Sequence, residues 1–134
     1  MSVITIKEKE YTYNESEIIS FAEGLIGLPE MRRAVLIPMD EYSPFCWLTS
    51  VDDEKSRFVV VNPREIFAGY EPFASKDSAA SEMQALAIVK ISSDWQKTTV
   101  NLRAPIFINP ETRRGAQFVL TESSYSLAES LPQN

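Results

Sequence analysis

The densest run of chemically capable side chains in this sequence is Asp52-Asp53-Glu54, three consecutive carboxylates between two apolar segments. Paired carboxylates can work as general acid and base, and clustered carboxylates can bind a hard cation such as magnesium or calcium. Consecutive residues of a strand or turn point in different directions, however, and Asp-Asp is common in turns. Three interpretations stay open: a solvated turn, a contact for a basic partner, and a catalytic or metal site.

The missing residue types exclude several kinds of chemistry. The sequence has no histidine, which removes Ser-His-Asp and Cys-His mechanisms. Cys46 is the only cysteine, so an internal disulfide is impossible and the usual zinc sites lack ligands. Cys46 lies in the apolar run Phe45-Cys46-Trp47-Leu48, which predicts a buried thiol with no base to activate it. Although a site made only of carboxylates could still hold magnesium or calcium, we expect no cofactor.

The charge is negative and unevenly spread. The net charge is −6, and the first 54 residues hold 11 of the 19 acidic residues but only 4 of the 13 basic ones. Binding to a nucleic-acid backbone needs clustered Lys and Arg, so direct nucleic-acid binding is not expected. An acidic half suits contact with a basic protein, or it serves solubility alone.

The element that must position much of the chain is residues 98–109. Apolar residues there share one parity and polar residues share the other, which predicts one long strand with a core face and an outer face. Pro105 lacks an N–H, so we expect a bulge or an edge there. A loop over 110–115 leads into residues 116–120, with Ala116, Phe118 and Leu120 on one face, and completes a predicted β-hairpin.

Three side chains on the outer face of this strand are candidate partner contacts. Asn101 and Arg103 form either an exposed polar ladder or a polar contact to a partner. Phe107 breaks the polar pattern, so its ring is either covered by another element or serves as an interface anchor.

The rest of the chain reads as short strands separated by turn residues, which is typical of an all-β barrel or sandwich. We predict a single domain over 1–134 whose C-terminal end frays. The only substantial helix is predicted over 77–84, with single helical turns over 29–33 and 63–67. The sequence shows no membrane-spanning run and no secretion signal, so we expect a cytoplasmic protein without membrane contact. Strands are predicted over 3–7, 11–13, 17–21, 34–39, 45–51, 57–63 and 85–91.

Several segments, in order and spacing, resemble the FliW family of flagellar assembly factors. They are Phe21-Ala22-Glu23-Gly24-Leu25-Ile26-Gly27-Leu28-Pro29, Ser43-Pro44-Phe45-Cys46-Trp47-Leu48-Thr49-Ser50-Val51, Phe58-Val59-Val60-Val61-Asn62-Pro63 with Tyr70-Glu71, Thr98-Thr99-Val100-Asn101-Leu102-Arg103-Ala104-Pro105-Ile106-Phe107-Ile108-Asn109, and Gly115-Ala116-Gln117-Phe118-Val119-Leu120 with Tyr125. These segments cover nearly the whole chain.

The resemblance implies a compact, antiparallel β-barrel-like domain without catalysis. It also implies two protein partners, newly made flagellin and CsrA, a basic dimeric repressor that binds RNA. By that logic the protein relieves CsrA repression of flagellin synthesis until accumulating flagellin occupies it. Flagellin's apolar helical termini would then require a hydrophobic groove.

Two assignments of surface follow from combining the resemblance with the residues. Asp52, Asp53 and Glu54 are expected to meet CsrA, because they are the densest acids. Asn101, Arg103 and Phe107 are expected to contribute to the flagellin contact. Two other classes of function stay open: a small carboxylate- or metal-dependent hydrolase that uses the acidic cluster, and a small nucleic-acid-binding barrel.

Overall fold

A computed structural model describes residues 2–72, 83–121 and 123–132. Within these ranges the chain forms β-strands joined by turns, and its helical segments are single 3-10 turns at Glu15–Glu17, Pro63–Glu65 and Trp95–Lys97. No helix in this part of the chain is long and apolar enough to cross a membrane. The strands are β1 (Ser2–Ile6), β2 (Lys9–Tyr13), β3 (Ile19–Phe21), β4 (Arg33–Pro38), β5 (Cys46–Ser50), β6 (Arg57–Val61), β7 (Gln84–Lys90), β8 (Thr99–Val100), β9 (Ile106–Asn109), β10 (Arg114–Gln117) and β11 (Glu129–Ser130).

Seven of these strands form a closed barrel in the order β3-β4-β5-β6-β7-β9-β10. The ring closes because β7 pairs with both β6 and β9, and because β10 lies parallel to β3. All other neighbours around the ring are antiparallel. The predicted all-β, barrel-like fold is therefore confirmed, with one parallel pair in an otherwise antiparallel ring.

The barrel interior is filled mainly by aliphatic side chains, with large members such as Phe21, Leu48 and Ile106 fully buried and Phe58 packed against them. Alternate residues of β4 serve two layers. Ala34 packs in the barrel interior, whereas its neighbour Val35 packs outside it under the separate β1–β2 hairpin. A strand covered on both faces reads as a continuous apolar run, which is how β4 appears in the sequence.

The prediction of one continuous strand over 98–109 is wrong. The segment forms two strands, β8 and β9, separated by irregular backbone over 101–105. The Asn101 side chain causes the break, because its Oδ1 accepts hydrogen bonds from the N–H groups of Arg103 (3.1 Å) and Ala104 (3.0 Å). Pro105 adds to it because it has no N–H to donate to a ladder. The burial pattern nonetheless keeps the predicted parity, since Leu102 and Ala104 are buried with the apolar residues on either side.

The predicted hairpin after this segment is confirmed, but its return strand lies earlier than expected. β10 begins at Arg114, and the register pairs Gly115 with Ile108. Residues that pair directly share a face, so the side of β10 toward the core carries Gly115. A Cβ at Gly115 would lie 2.5 Å from Cε1 of Phe21, so this position has no room for a side chain. Phe118, just beyond the strand, is half exposed.

The helix predictions have mixed outcomes. The turn predicted over 63–67 is a 3-10 turn at Pro63–Glu65, with the Asn62 side chain as its cap. The helical turn predicted over 29–33 is wrong, because a non-helical turn closed by the Met31 N–H donating to the Leu28 carbonyl at 3.2 Å comes first and Arg33 already begins β4. Most of the helix predicted over 77–84 lies outside the described residues, and Gln84 begins β7. Fraying is predicted for the C-terminal end. Residues 133 and 134 of that end lie outside the described residues.

Candidate interaction surfaces

Asp52, Asp53 and Glu54 form the turn between β5 and β6, which we call the acidic turn. All three residues are exposed, yet their carboxylates point to different partners. Arg33 Nη2 donates to Asp52 Oδ1 at 2.8 Å, and this hydrogen bond lowers the pKa of Asp52. The backbone N–H of Thr5 in β1 donates to Glu54 Oε2. The three carboxylates therefore diverge.

The Asp53 carboxylate stabilises the turn itself. It accepts from the N–H of Lys55 (3.1 Å) and from the Ser56 hydroxyl (3.0 Å). This is turn chemistry of the kind expected for an Asx residue. Among the described residues, no group of three His, Cys, Asp or Glu side chains is arranged to hold a metal ion. The acidic turn therefore offers surface charge rather than an assembled catalytic or metal site.

Two further carboxylates enlarge the negative surface near the acidic turn. Glu10 pairs in register with Thr5, the residue whose N–H meets Glu54. Glu15 is close enough to help raise the pKa of Arg33, although the hydrogen bond with Asp52 is the larger cause. These five acids are interleaved with the cations Arg33, Lys55 and Arg57. The surface is acidic but partly compensated.

Asn101, Arg103 and Phe107 do not form an exposed patch. The Asn101 side chain is used by the backbone break described above, and Arg103 Nη2 donates to the Thr121 carbonyl at 3.4 Å. Phe107 is only 3% exposed and its ring packs against Phe118 with centroids 5.9 Å apart. Phe107 is thus covered, and Phe118 provides the exposed aromatic surface beside it.

The structure also assembles a cleft that sequence reasoning missed, which we call the aromatic cleft. It has a volume of about 270 Å³ and lies between the β1–β2 turn, the β4–β5 loop and the segment after β7. Its lining residues are Lys7, Met39, Tyr42, Phe45, Trp47, Ile91 and Trp95. One signal in the sequence pointed toward it, because Trp95 is a large aromatic residue within the polar turn that follows β7.

Internal contacts hold the walls of the aromatic cleft in place. Phe45 and Trp95 meet edge to face, with ring centroids 5.7 Å apart. Trp47 has Lys7 Nζ and Arg57 Cζ each 5.3 Å from its ring centroid, a cation–π arrangement. The walls of the cleft are therefore held by contacts within the chain.

Cys46 lies near the aromatic cleft in sequence but is a poor nucleophile. It is partly buried, and this burial raises the pKa of its thiol. A raised pKa keeps the thiol protonated at neutral pH, and the thiolate is the reactive form. The raised pKa is in line with the predicted low reactivity, whereas the predicted burial is only partial.

The structure defines a small protein with a seven-stranded β-barrel, an acidic turn and an aromatic cleft. A comparison with protein families narrows this class. The model described as "FliW protein" matches residues 3–131. The chain belongs to the FliW family, whose members are flagellar assembly factors.

Individual relatives agree with the family match over nearly the full length of the chain. The flagellar assembly factor FliW of Clostridium beijerinckii is 32% identical over 138 residues, which cover 98% of each chain. That of Caldicellulosiruptor bescii is 37% identical over 133 residues, covering 93% of this chain and 86% of the relative. A crystal structure of the flagellar assembly factor FliW matches with a TM-score of 0.84 at 27% identity, covering 99% of both chains.

Proposed function

We propose that this protein binds newly made flagellin in the cytoplasm and antagonises the translational repressor CsrA, so that flagellin synthesis follows flagellin export. In this scheme unoccupied protein sequesters CsrA, and flagellin synthesis proceeds. Accumulating flagellin occupies the protein, which frees CsrA to repress translation. Export of flagellin then reverses the sequence.

The observation that carries the proposal is the match to flagellar assembly factors across the chain. The family match runs over residues 3–131, and the solved FliW structure covers 99% of this chain. This match over nearly the whole chain supports an assembly role for the protein. Divergent carboxylates and a protonated Cys46 thiol fit a binding role better than a catalytic one.

The acidic turn is the proposed contact for CsrA. Asp52, Asp53 and Glu54 are exposed at one end of the barrel, with Glu10 and Glu15 close by. A basic partner associates faster with such a surface, because complementary electrostatic potentials steer the two proteins together. The partial compensation by Arg33 and Arg57 means that the effect falls on rate and salt dependence more than on tight affinity.

The placement of flagellin on Asn101, Arg103 and Phe107 stays a prediction. Since Phe107 is buried and Asn101 is used internally, a partner at this location would touch Phe118, the exposed aromatic ring beside Phe107. Phe118 is therefore the residue through which this placement is best tested.

A calorimetric titration with monomeric flagellin from the same organism tests the proposed function. We expect one-to-one binding, followed by competition when CsrA is added to the preformed complex. No heat over a range of temperatures, from protein shown by circular dichroism to be folded, would contradict flagellin binding. Titration with CsrA alone then tests the second partner separately.

A further inference from the structure

We propose that the β1–β2 hairpin is a lid on the outer face of β4 and β5, which opens as one unit while the barrel stays folded and which Glu54 holds closed. Because the hairpin contacts both the acidic turn and the aromatic cleft, opening of the lid changes both regions together. The inference concerns contacts within this chain and does not rest on the proposed function or its partners.

The hairpin is not joined to the barrel by a backbone ladder. β1 and β2 pair only with each other and form a two-stranded sheet of their own. In the ranges that the structure describes, no backbone–backbone hydrogen bond links residues 2–13 to the barrel. A two-stranded hairpin is at best marginally stable by itself in water. The hairpin therefore depends on side-chain contacts with the face that it covers.

An apolar layer provides most of this attachment. Ile4, Ile6 and Tyr13 of the hairpin pack on Val35 and Ile37 of β4, and all five side chains are buried. Opening exposes this layer to water, which makes the closed state the favoured one. The barrel interior is a separate cluster on the other face of β4, so it stays covered when the hairpin moves away.

One polar group beneath the hairpin favours opening. Thr49 of β5 pairs in register with Val35, so the two side chains share the face that the hairpin covers. Thr49 is fully buried, and its Oγ1 has no hydrogen-bond partner among the described residues. A buried hydroxyl without a partner has lost its hydrogen bonds to water, and it regains them when the face is uncovered.

The turn of the hairpin also works against stability. Lys7 and Glu8 are the two residues of this turn, and their φ angles are 49° and 71°. Turns of this kind favour Asn and Gly, because positive φ brings the Cβ of other residues too close to the backbone. The hairpin is thus a unit of low local stability on a well-packed barrel.

Glu54 supplies the polar contact that holds β1 against the barrel. Its Oε2 accepts from the N–H of Thr5, in the middle of β1. The acceptor is a carboxylate, and a hydrogen bond to a charged group contributes more than one between neutral groups. Because Glu54 belongs to the acidic turn, a cationic group that takes its carboxylate weakens the closed state of the lid.

The other end of the hairpin reaches the aromatic cleft. Lys7 lines the cleft, with its Nζ 5.3 Å from the ring centroid of Trp47. Lys9 pairs with Asp40 at 3.1 Å, but both side chains are exposed and water weakens their attraction. Opening withdraws Lys7 from Trp47 and removes one wall of the cleft. A change at Glu54 is transmitted to the cleft in this way.

Hydrogen exchange can follow the lid through its own ladder. The Thr5 N–H points away from β2 toward Glu54, so Thr5 and Glu10 are a pair without ladder hydrogen bonds. Hydrogen-bonded and non-bonded pairs alternate along an antiparallel ladder, so the pairs on either side are hydrogen-bonded. We call their N–H groups the lid amides, which are those of Ile4, Ile6, Lys9 and Tyr11.

The first measurement is native-state hydrogen exchange of the wild-type protein by NMR at low urea concentrations. We expect the lid amides to share one opening, with protection factors within about twofold of each other. Those values should lie about 100-fold or more below the protection factors of Leu48 and Val60 in the central strands β5 and β6. Lid amides as protected as Leu48 and Val60 would overturn the proposal, and so would widely different values within the lid.

Two substitutions should move this opening in opposite directions. Glu54→Ala removes the acceptor of the Thr5 N–H, and we expect the protection factors of all lid amides to fall by the same factor of about five. Thr49→Val keeps the shape and removes the buried hydroxyl, so we expect the same values to rise about fivefold. Both positions are distant in sequence from the lid amides, so the exchange chemistry of those amides in an open chain is unchanged.

Glu54→Gln is the matched control, because it removes the charge and keeps an oxygen acceptor. We expect its lid amides to stay within about twofold of the wild-type protection factors. An equal fall in Glu54→Gln and Glu54→Ala would assign the effect to charge and overturn the hydrogen bond as the restraint. A fall confined to β1 would contradict opening as one unit. Unchanged protection in Thr49→Val would show that the hairpin does not cover a hydroxyl that favours opening.

Discussion

The acidic turn and the aromatic cleft differ in what their side chains already do within the molecule. In the acidic turn, Asp52 is paired with Arg33 and Glu54 accepts from Thr5. In the aromatic cleft, Tyr42 and Trp95 hold large exposed surfaces that no internal contact requires. The comparison teaches that side chains which are dense in the sequence can be engaged in internal contacts, whereas folding brings aromatic rings from distant segments together and leaves part of their surface exposed.

The two regions are also physically connected. Arg57 contacts the Trp47 ring and donates through Nη1 to the Glu54 carbonyl at 2.9 Å. The β1–β2 hairpin adds a second link, because Thr5 bonds to Glu54 and Lys7 lines the cleft. Substitutions that act on these links measure how far the two regions depend on each other.

The largest effect is expected from Trp47→Ala. Trp47 packs with the outer clusters of the barrel and contacts Lys7 and Arg57. Because truncation leaves a cavity, we expect the free energy of unfolding to fall by about 3 kcal/mol, measured by urea denaturation. The control is Tyr42→Ala, at an exposed position of the same cleft, where we expect less than about 0.5 kcal/mol. Equal losses in the two variants would mean that Trp47 is not a structural link.

A smaller effect is expected when the acidic turn loses its charge. The triple variant Asp52→Asn, Asp53→Asn, Glu54→Gln keeps oxygen acceptors and removes three negative charges. We expect association with CsrA at low salt to slow about tenfold and its salt dependence to flatten, as measured by stopped-flow mixing. Flagellin affinity should stay unchanged, which sharpens the difference between the two regions.

The control for this experiment is Glu111→Lys. Glu111 lies in the β9–β10 turn, at the end of the barrel opposite the acidic turn, because β9 runs antiparallel to β7 and β7 runs in the same direction as β5. If Glu111→Lys slows CsrA association as much as the triple variant does, net charge rather than the acidic turn is responsible.

The Glu54 contact with the β1–β2 hairpin contributes less. Glu54→Ala removes the acceptor of the Thr5 N–H, so we expect about 1 kcal/mol less stability and faster amide exchange at Thr5. Glu54→Gln keeps an acceptor and should retain most of the protection. Unchanged exchange in Glu54→Ala would show that this carboxylate does not hold the hairpin.

The smallest effect concerns the exposed pair of Arg33 and Asp52. Arg33 lowers the pKa of Asp52 below its ordinary value of 3.8, so the pair contributes at higher pH and is lost as pH falls through the lowered pKa. In Arg33→Gln, the pKa of Asp52 should return toward the ordinary value in an NMR titration, while stability at neutral pH hardly changes. A pKa that stays equally low in the variant would assign the shift to other groups.

Local patterns in the sequence predicted much of the fold. Strands β1, β2, β5, β6 and β7 lie within or overlap the segments predicted as strands over 3–7, 11–13, 45–51, 57–63 and 85–91. The sequence predicted the break between β8 and β9 only in part. Pro105 indicated an irregularity, but nothing in the sequence indicated that the Asn101 side chain accepts hydrogen bonds from the backbone of this segment. An Asn side chain serves a polar ladder or a backbone turn equally well until its neighbours are placed.

The candidate surfaces were less predictable than the fold. The sequence located the acidic turn, because its residues are consecutive. It could not show that Phe107 is covered, since alternation assigns a residue to a face of a strand but does not say what packs on that face. The aromatic cleft could not be predicted from the sequence either, because Lys7, Trp47 and Trp95 come from three distant segments that only folding brings together.

The sequence by itself determined the β-strand class, the absence of histidine chemistry, the acidic N-terminal half and the resemblance to flagellar assembly factors. These properties depend on composition and local order, which the chain carries whether folded or not. Only the tertiary structure decided that the barrel closes through the parallel pair β3–β10, that Phe107 is buried, and that exposed aromatic side chains meet beside Lys7. Those outcomes depend on contacts between residues far apart in the chain, which form only when the strands close into one barrel.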